Sequence, residues 1–363
     1  MEKSREDAVW EALRTVRFPG MSRDIVSFGF VRAVRLAGER VEVELAITTQ
    51  SPAAAEEVRL AAERAVAALP GVSAVEARLA LAAVPSREES AQRAIAQNRE
   101  LIPGVRNVIA VASGKGGVGK STVAVNLAVA LAREGHAVGI LDADIYGPSI
   151  PMMFGIAEPP RVVDNRIQPF ERYGVKVMSL GFILDLDTPV IWRGPMVMRA
   201  IEQMLGDVDW GDLDFLVLDL PPGTGDAQLT VTQKIPLAGA VIVTTPQDVA
   251  LTDARKGLAM FRKVNVPVIG VIENMSSFVC PHCGRETDIF KRGGGRRTAE
   301  ELGCPFLGAI PLDPAIVEGG DAGRPIVVAQ PQGAHAAAFA ALARAVAVES
   351  ERVTGERADI RIV

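Results

Sequence analysis

Residues 107–122 read NVIAVASGKGGVGKST, an apolar run, a glycine-rich turn and the start of a second apolar run, STVAVNLAVALAR. Gly114, Gly119, Lys120 and Ser121 satisfy G-x-x-x-x-G-K-[ST], and the strand before and helix after supply the setting that pattern requires. The chemistry is phosphate binding. Gly114, Gly116, Gly117, Val118 and Gly119 let backbone N–H groups converge on phosphate oxygens, Lys120 neutralises their charge, Ser121 ligates Mg²⁺, and Thr122 continues the positive end of the helix dipole. The plain alternative is a glycine-rich turn with no ligand. Lys115, directly after the first glycine, is a second cation that the basic pattern does not call for.

Two further stretches place carboxylates where such a site needs them. Asp142 and Asp144 in LDADIYGPS are two residues apart at a strand end, so both can face one side, towards phosphate and metal. Asp219 closes the strand DFLVLDL before PPGTGDAQLT; it suits a carboxylate holding a Mg²⁺-bound water, and the Gly223 N–H suits a γ-phosphate. Either strand-end Asp can instead be a simple helix cap. A third chemistry is offered by Cys280 and Cys283 in FVCPHCGRE, where Pro281 and Gly284 favour a tight turn aiming both sulfurs one way. One C-x-x-C supplies two thiolates, whereas zinc and iron–sulfur clusters take four ligands. A zinc knuckle would have to recruit Cys304 and His282, a redox dithiol would need the start of a thioredoxin fold, and two unligated thiols in a turn remain open.

The elements that carry these residues alternate. VIAVA, AVGILDAD, DFLVLDL, GAVIVTT, PVIGVIE and FLGAI are continuous apolar runs, most of them separated by helix-length segments, which predicts a mostly parallel sheet buried on both faces. Ligands of such sheets sit at the carboxyl ends of the strands, where all these motifs fall. The expected organisation is α/β: a P-loop NTPase domain over residues 105–353, preceded by a small α+β domain over 1–84 and a polar linker, 85–104. The first domain reads as a helix over 5–15, strands broken at Gly38, the helix AAAEEVRLAAERAVAALPG and a last strand, VSAVEARLAL. AHAAAFAALARAVAVESERV predicts a closing amphipathic helix.

Totals narrow the class. Lys+Arg 39 against Asp+Glu 44 gives a net charge of −5 and no overall basic field for nucleic acid or anionic lipid. No apolar stretch approaches the ~20 residues of a membrane span, and MEKSREDAVWEALRTV has no apolar leader core. Three cysteines cannot make a disulfide framework, so a soluble cytoplasmic protein is expected. Hydrophobic residues at 48% with aromatics at 5% suit an Ala/Val/Leu core.

GKGGVGKS, with Lys115, resembles the deviant Walker A class of MinD, ParA, the nitrogenase iron protein and the arsenite-pump ATPase. That likeness implies an ATP-bound homodimer in which Lys115 reaches the partner's nucleotide, Asp144 orients the attacking water, Asp142 stands in the magnesium shell and Asn274 reads the adenine edge. With GKGGVGKST, LDADIYGPSIP, WRGPM, DLPPGTGDAQLT, IENMSSFVCPHCG and the glycines 293–295, the domain resembles the Mrp/ApbC iron–sulfur cluster carriers. Through the implied dimer, Cys280 and Cys283 of two chains make four thiolates, enough for one [4Fe–4S] cluster. The resemblance implies receipt from a cluster-assembly scaffold and delivery to apo iron–sulfur proteins. IVSFGFV, a strand ending in TT, Pro52 and LPGV make the first domain resemble a MIP18-like domain, but Ser51 stands where that family often has cysteine, and no cysteine precedes Cys280. Docking or regulation is therefore expected of it.

Two rivals share the P-loop. A MinD/ParA-like positioning ATPase has no use for paired thiols and needs a basic or amphipathic anchor, whereas the one basic cluster, 291–297, reads as a solvated loop and helix start. A nickel-inserting GTPase would carry His-rich tracts, but only His136, His282 and His335 occur. Cys304 reads as a small buried hydrophobe.

Overall fold

The computed structural model describes residues 2–17, 24–27, 29–49, 52–83, 101–145, 147–183 and 194–359. The expectations for Ser51, for the linker up to residue 100, and for Trp192 and Arg193 of WRGPM fall outside them. The chain divides into two compact units, Met1–Gln92 and Arg93–Val363.

In the first unit, α1 (Glu2–Leu13) is followed by β1 (Val31–Ala37), β2 (Arg40–Thr49), α2 (Pro52–Ala67) and β3 (Ala74–Ala83). Gly38, at φ 64°, makes the tight turn that sets β1 antiparallel to β2. The helix α2 then carries the chain across so that β3 pairs parallel to β2. Along β2 the residues Val41, Val43, Leu45 and Ile47 are buried and those between them are not, so one face packs on the helices. Residues 24–27 lie in a bridge and turn rather than in a strand, because the Asp24 carboxylate accepts from the N–H groups of Val26 and Ser27 and closes a local turn.

Among the described residues the sheet of the second unit has nine strands. They are β4 (Val105–Ser113), β5 (Val138–Asp142), β8 (Phe170–Arg172), β9 (Val175–Ser179), β10 (Leu213–Asp219), β11 (Leu237–Thr244), β12 (Val268–Val279), β13 (Glu286–Thr287) and β14 (Phe306–Leu312), while β6 (Val162–Val163) and β7 (Arg166–Ile167) form a separate hairpin. The order runs β13, β12, β11, β4, β10, β5, β9, β8, with β14 also on β12; all pairs are parallel except β8 with β9 and β13 with β12. The six apolar runs expected as strands are β4, β5, β10, β11, β12 and β14. Short, half-polar β8 and β9 extend the sheet beyond them.

The helices are α3 (Lys120–Arg133), α4 (Ile150–Phe154), α5 (Gly194–Gly206), α6 (Asp226–Lys234), α7 (Asp248–Lys263), α8 (Gly294–Glu301), α9 (Pro314–Asp321), α10 (Ile326–Ala329) and α11 (Ala334–Asp359). Both sheet faces are covered, which explains why the strands are apolar throughout. Ile109 and Val111 of β4, Val217 of β10 and Val243 of β11 face a core shared with α3 and α11; Val108, Ala110, Leu218 and Ile242 alternate into a second core with α5 and α7. The helix α3 is buried from Val123 to Leu131, held between sheet and α11. Chain order reverses at β4, since β5 lies beyond β10 on one side and β11 on the other, and ligands of open α/β sheets bind at that switch point.

Candidate nucleotide and thiolate sites

The loop between β4 and α3 sits at that switch point. Gly117 and Gly119 take φ of 80° and 78°, left-handed values that favour glycine, and Gly119 caps α3 with no side-chain hydrogen bond. The first N–H groups of this 14-residue helix are thus left for an anion. Gly114 has a different reason: a Cβ there would lie 2.2 Å from the carbonyl carbon of Asp253, so the loop rests directly on the backbone of α7. The Ser113 hydroxyl donates to the Lys115 carbonyl at 2.9 Å and braces the turn.

Around Lys120 the carboxylates gather. Its ammonium is buried, bonds directly to Asp219 Oδ1, lies 3.9 Å from Asp144 Oδ2 and donates to Ser121 Oγ at 3.2 Å. Asp219 is fully buried, and its Oδ2 has no hydrogen-bond partner. An acceptor left so in a protein interior marks a place for a donor such as a metal-bound water. The parallel β4–β10–β5 register brings Asp219 beside Val111 and Asp142 at one level.

Asp142 is oriented differently from Asp144. Its Oδ1 accepts from the Asp144 N–H at 3.1 Å, and its Oδ2 from the Ile150 N–H at 3.2 Å and the Ser179 hydroxyl at 3.1 Å. Both oxygens therefore brace the 142–150 loop that presents Asp144. Burial, and then the Asp219 charge, push its pKa up to about 7. Gly223 takes φ 103°, and its N–H donates to the Ser113 carbonyl at 3.0 Å, a bond that must open before that N–H can meet a phosphate.

Asn274 is buried and lies at the loop, its Nδ2 donating to the Val118 carbonyl at 2.9 Å. A Cβ on Gly119 would sit 2.3 Å from that nitrogen, which makes the second loop glycine a condition of the contact. The neighbouring Glu273, which sequence reading passes over, accepts from the N–H groups of Gly293 at 3.0 Å and Gly295 at 2.5 Å, capping α8. A Cβ on Gly295 would meet Glu273 at 3.0 Å and one on Gly294 would meet Leu251 of α7 at 2.6 Å, while Gly293 takes φ 76° at the N-cap, so each of the three glycines has its own reason. The available signal was an acid inside the apolar run PVIGVIE.

Cys280 and Cys283 occupy the tip of the β12–β13 hairpin, closed by Cys280 N–H to Arg285 and Gly284 N–H to Cys280 carbonyl bonds of 3.0 and 2.8 Å. Cys283 is exposed and Cys280 half-exposed. The backbone N–H groups of His282 and Cys283, together with the Cys283 thiol, hold the Cys280 pKa below the usual thiol range. Such a turn favours thiolate and suits a soft metal. Cys304 is apart from them, half-buried, its Sγ 3.6 Å from the Ala299 carbonyl and its pKa raised by burial.

The basic cluster is consumed locally. Lys291 pairs with Asp248, Arg292 with Glu286 at 3.0 Å, Arg296 lies 4.5 Å over the Phe306 ring, and Arg297 reaches the Arg292 carbonyl at 3.4 Å. Among the described residues, no helix is long and apolar enough to cross a membrane.

A phosphate loop at the centre of a parallel sheet, with a buried lysine and carboxylates on the flanking strand ends, defines a P-loop nucleoside triphosphatase. Residues 104–347 match the family described as NUBPL iron-transfer P-loop NTPase, and residues 6–78 match iron–sulfur cluster assembly protein. The chain belongs to the NUBPL iron-transfer P-loop NTPase family. It is 48% identical over 347 residues to an iron–sulfur cluster carrier protein of Synechocystis sp., covering 94% of this chain and 96% of that one. With the iron–sulfur cluster transfer protein NUBPL of Mus musculus it shares 55% over 241 residues, 66% of this chain and 76% of the other. A nucleotide-binding protein of Archaeoglobus fulgidus solved with ADP superposes with a TM-score of 0.58 at 40% identity, over 66% of this chain and 93% of that one. The cell-division ATPase MinD of Pyrococcus furiosus gives 0.51 at 26%, over 66% and 98%.

Proposed function

We propose that this chain is an ATP-dependent iron–sulfur cluster carrier acting in the cytoplasm as a homodimer. Two copies each contribute Cys280 and Cys283 to one labile [4Fe–4S] cluster, held as cargo, taken from an assembly scaffold and passed to apo iron–sulfur proteins. The observation that carries this reading is a pair of solvent-accessible thiols, Cys283 exposed and Cys280 half-exposed with its pKa lowered by the turn, on a hairpin that leaves the same carboxyl edge of the sheet as the phosphate loop. Two thiolates are half of a four-ligand set, and among the described residues no group of three or more His, Cys, Asp or Glu could hold a metal alone. A two-fold axis supplies the other half.

In the nucleotide site Lys120 would exchange its bond to Asp219 for phosphate, Ser121 would help hold Mg²⁺, and the orphan Asp219 Oδ2 would be free to accept from a donor there. Bound Mg²⁺ supplies neutralising charge at the phosphates. Asp144 orients the attacking water, Asp142 braces its loop, Lys115 reaches the partner's nucleotide, and Asn274 flanks the adenine. The residue ranges 1–84, 85–104 and 105–353 serve as docking domain, linker and carrier ATPase.

Anaerobic reconstitution with iron and sulfide tests the reading. About four irons per dimer, absent from a Cys280→Ala, Cys283→Ala double variant, is the expected result. Iron-free protein, or zinc in place of iron, overturns it and leaves a positioning ATPase.

A further inference from the structure

Adjacent residues of β12 hold opposite parts of this unit. Glu273 fastens the strand to the first turn of α8 through two N–H groups, and Asn274, on the other side of the pleat, holds the phosphate loop through the Val118 carbonyl. Met275 follows at φ 56°, a left-handed conformation that a long side chain rarely adopts. There the pairing of β12 with β14 loses register, between Asn274 and Phe278. The strand then runs into the thiol hairpin, with Cys280 directly after Val279.

The Val118–Gly119 peptide gives this arrangement a chemical input. It is trans, so its carbonyl and N–H point in opposite directions. The carbonyl meets Asn274; the N–H is directed to the far side, where the amides of such a loop converge on phosphate. A phosphate accepting from that N–H polarises the peptide and strengthens the bond to Asn274. Both groups are shielded from water, Val118 being 2% and Asn274 7% exposed, so the change is little screened.

We propose that Asn274 is the positioning residue through which nucleotide occupancy reaches Cys280 and Cys283, with Glu273 as the fixed anchor and Met275 as the joint. The inference rests on the carrier reading for its purpose, since it makes cluster hold and release answer to ATP. A second route exists through α7, whose backbone touches Gly114 and whose Asp248 pairs with Lys291 beside the hairpin. The shielded bond at Val118 makes the β12 route the stronger one, because the Lys291 pair is on the surface and screened by water.

The test is thiol reactivity in the full-length, cluster-free protein. Iodoacetamide alkylation of Cys280 and Cys283 is followed by peptide mass spectrometry, without nucleotide and with a saturating non-hydrolysable ATP analogue and Mg²⁺, saturation being checked on each variant. In the wild type the nucleotide is expected to change the rate at one or both thiols by about fivefold or more, the scale of an ordinary coupling between sites. In Met275→Gly the ratio falls towards one while nucleotide still binds; in Asn274→Ala, whose nucleotide affinity is expected to drop, it falls towards one at a nucleotide concentration raised to saturation, and Lys291→Ala keeps the wild-type ratio. If Asn274→Ala loses nucleotide binding through a damaged loop, Met275→Gly decides. An unresponsive wild type, an intact response in Met275→Gly, or a response lost in Lys291→Ala alone overturns the proposal. Reconstitution of the same proteins separates the two readings. Thiols that respond to nucleotide but take up no cluster sink the carrier reading, and a cluster held by unresponsive thiols sinks only the coupling.

Discussion

The phosphate loop and the thiol hairpin leave the same edge of one sheet, but their surroundings differ. The loop is held from behind: Lys120 is buried against Asp219, Gly114 abuts the backbone of α7, and Asn274 closes the rear of the turn, while Gly116 and Gly117 are exposed. The hairpin is anchored at its root and open at its tip, where β13 is two residues long, Cys283 is exposed and Cys280 half-exposed. On the proposed function the loop must stabilise charge, which pre-set dipoles favour, whereas the hairpin must surrender its cargo, which access and few ligands favour.

That contrast can be broken in several places. Lys120→Ala should cut nucleoside triphosphate turnover by about 10²–10³-fold, as loss of one pre-set cation does, while iron loading at the hairpin persists; equal loss of iron in this folded variant would merge the two sites. Gly114→Ala should destabilise the second unit by about 1–3 kcal/mol, because its Cβ meets backbone and not a movable side chain, and calorimetry of the nucleotide-free protein measures it. Glu273→Gln should cost about 1–2 kcal/mol, since a neutral amide caps α8 less well than a carboxylate with two N–H donors; its melting temperature should fall by a few degrees with little change in nucleotide affinity. Arg292→Ala should leave melting temperature and iron loading as in the wild type, because its pair with Glu286 is solvent-exposed. A large effect there would mean that the open hairpin is as tightly held as the loop.

Much of this was legible in the chain. Continuous apolar runs predicted six strands of the sheet, and the strand–glycine–helix pattern located the turn between β4 and α3. The strands β8 and β9 escaped because segments of three and five residues are too short to show a distinctive period. Asp142 and Asp144 look alike as strand-end acids, yet only tertiary neighbours separate them: Ser179 and the Ile150 N–H claim the first, and Lys120 lies beside the second. The cluster 291–297 reads as a charged surface, and only the fold shows where its charges go: Lys291 to Asp248 of α7, Arg292 to Glu286 of β13, Arg296 onto the Phe306 ring and Arg297 to the Arg292 carbonyl.

Local order was enough for the phosphate loop, whose glycines, lysine and serine are neighbours in the chain and whose backbone alone shapes the cradle. The sequence likewise determined that two thiols share one turn. Tertiary structure decided which groups those residues answer to. Asn274 meets Val118 across 156 positions and Lys120 meets Asp219 across 99, pairings that exist only because parallel strands bring their carboxyl ends to one edge. A hydrogen bond depends on distance and angle in space, and over such separations the order of residues fixes neither until the sheet is formed.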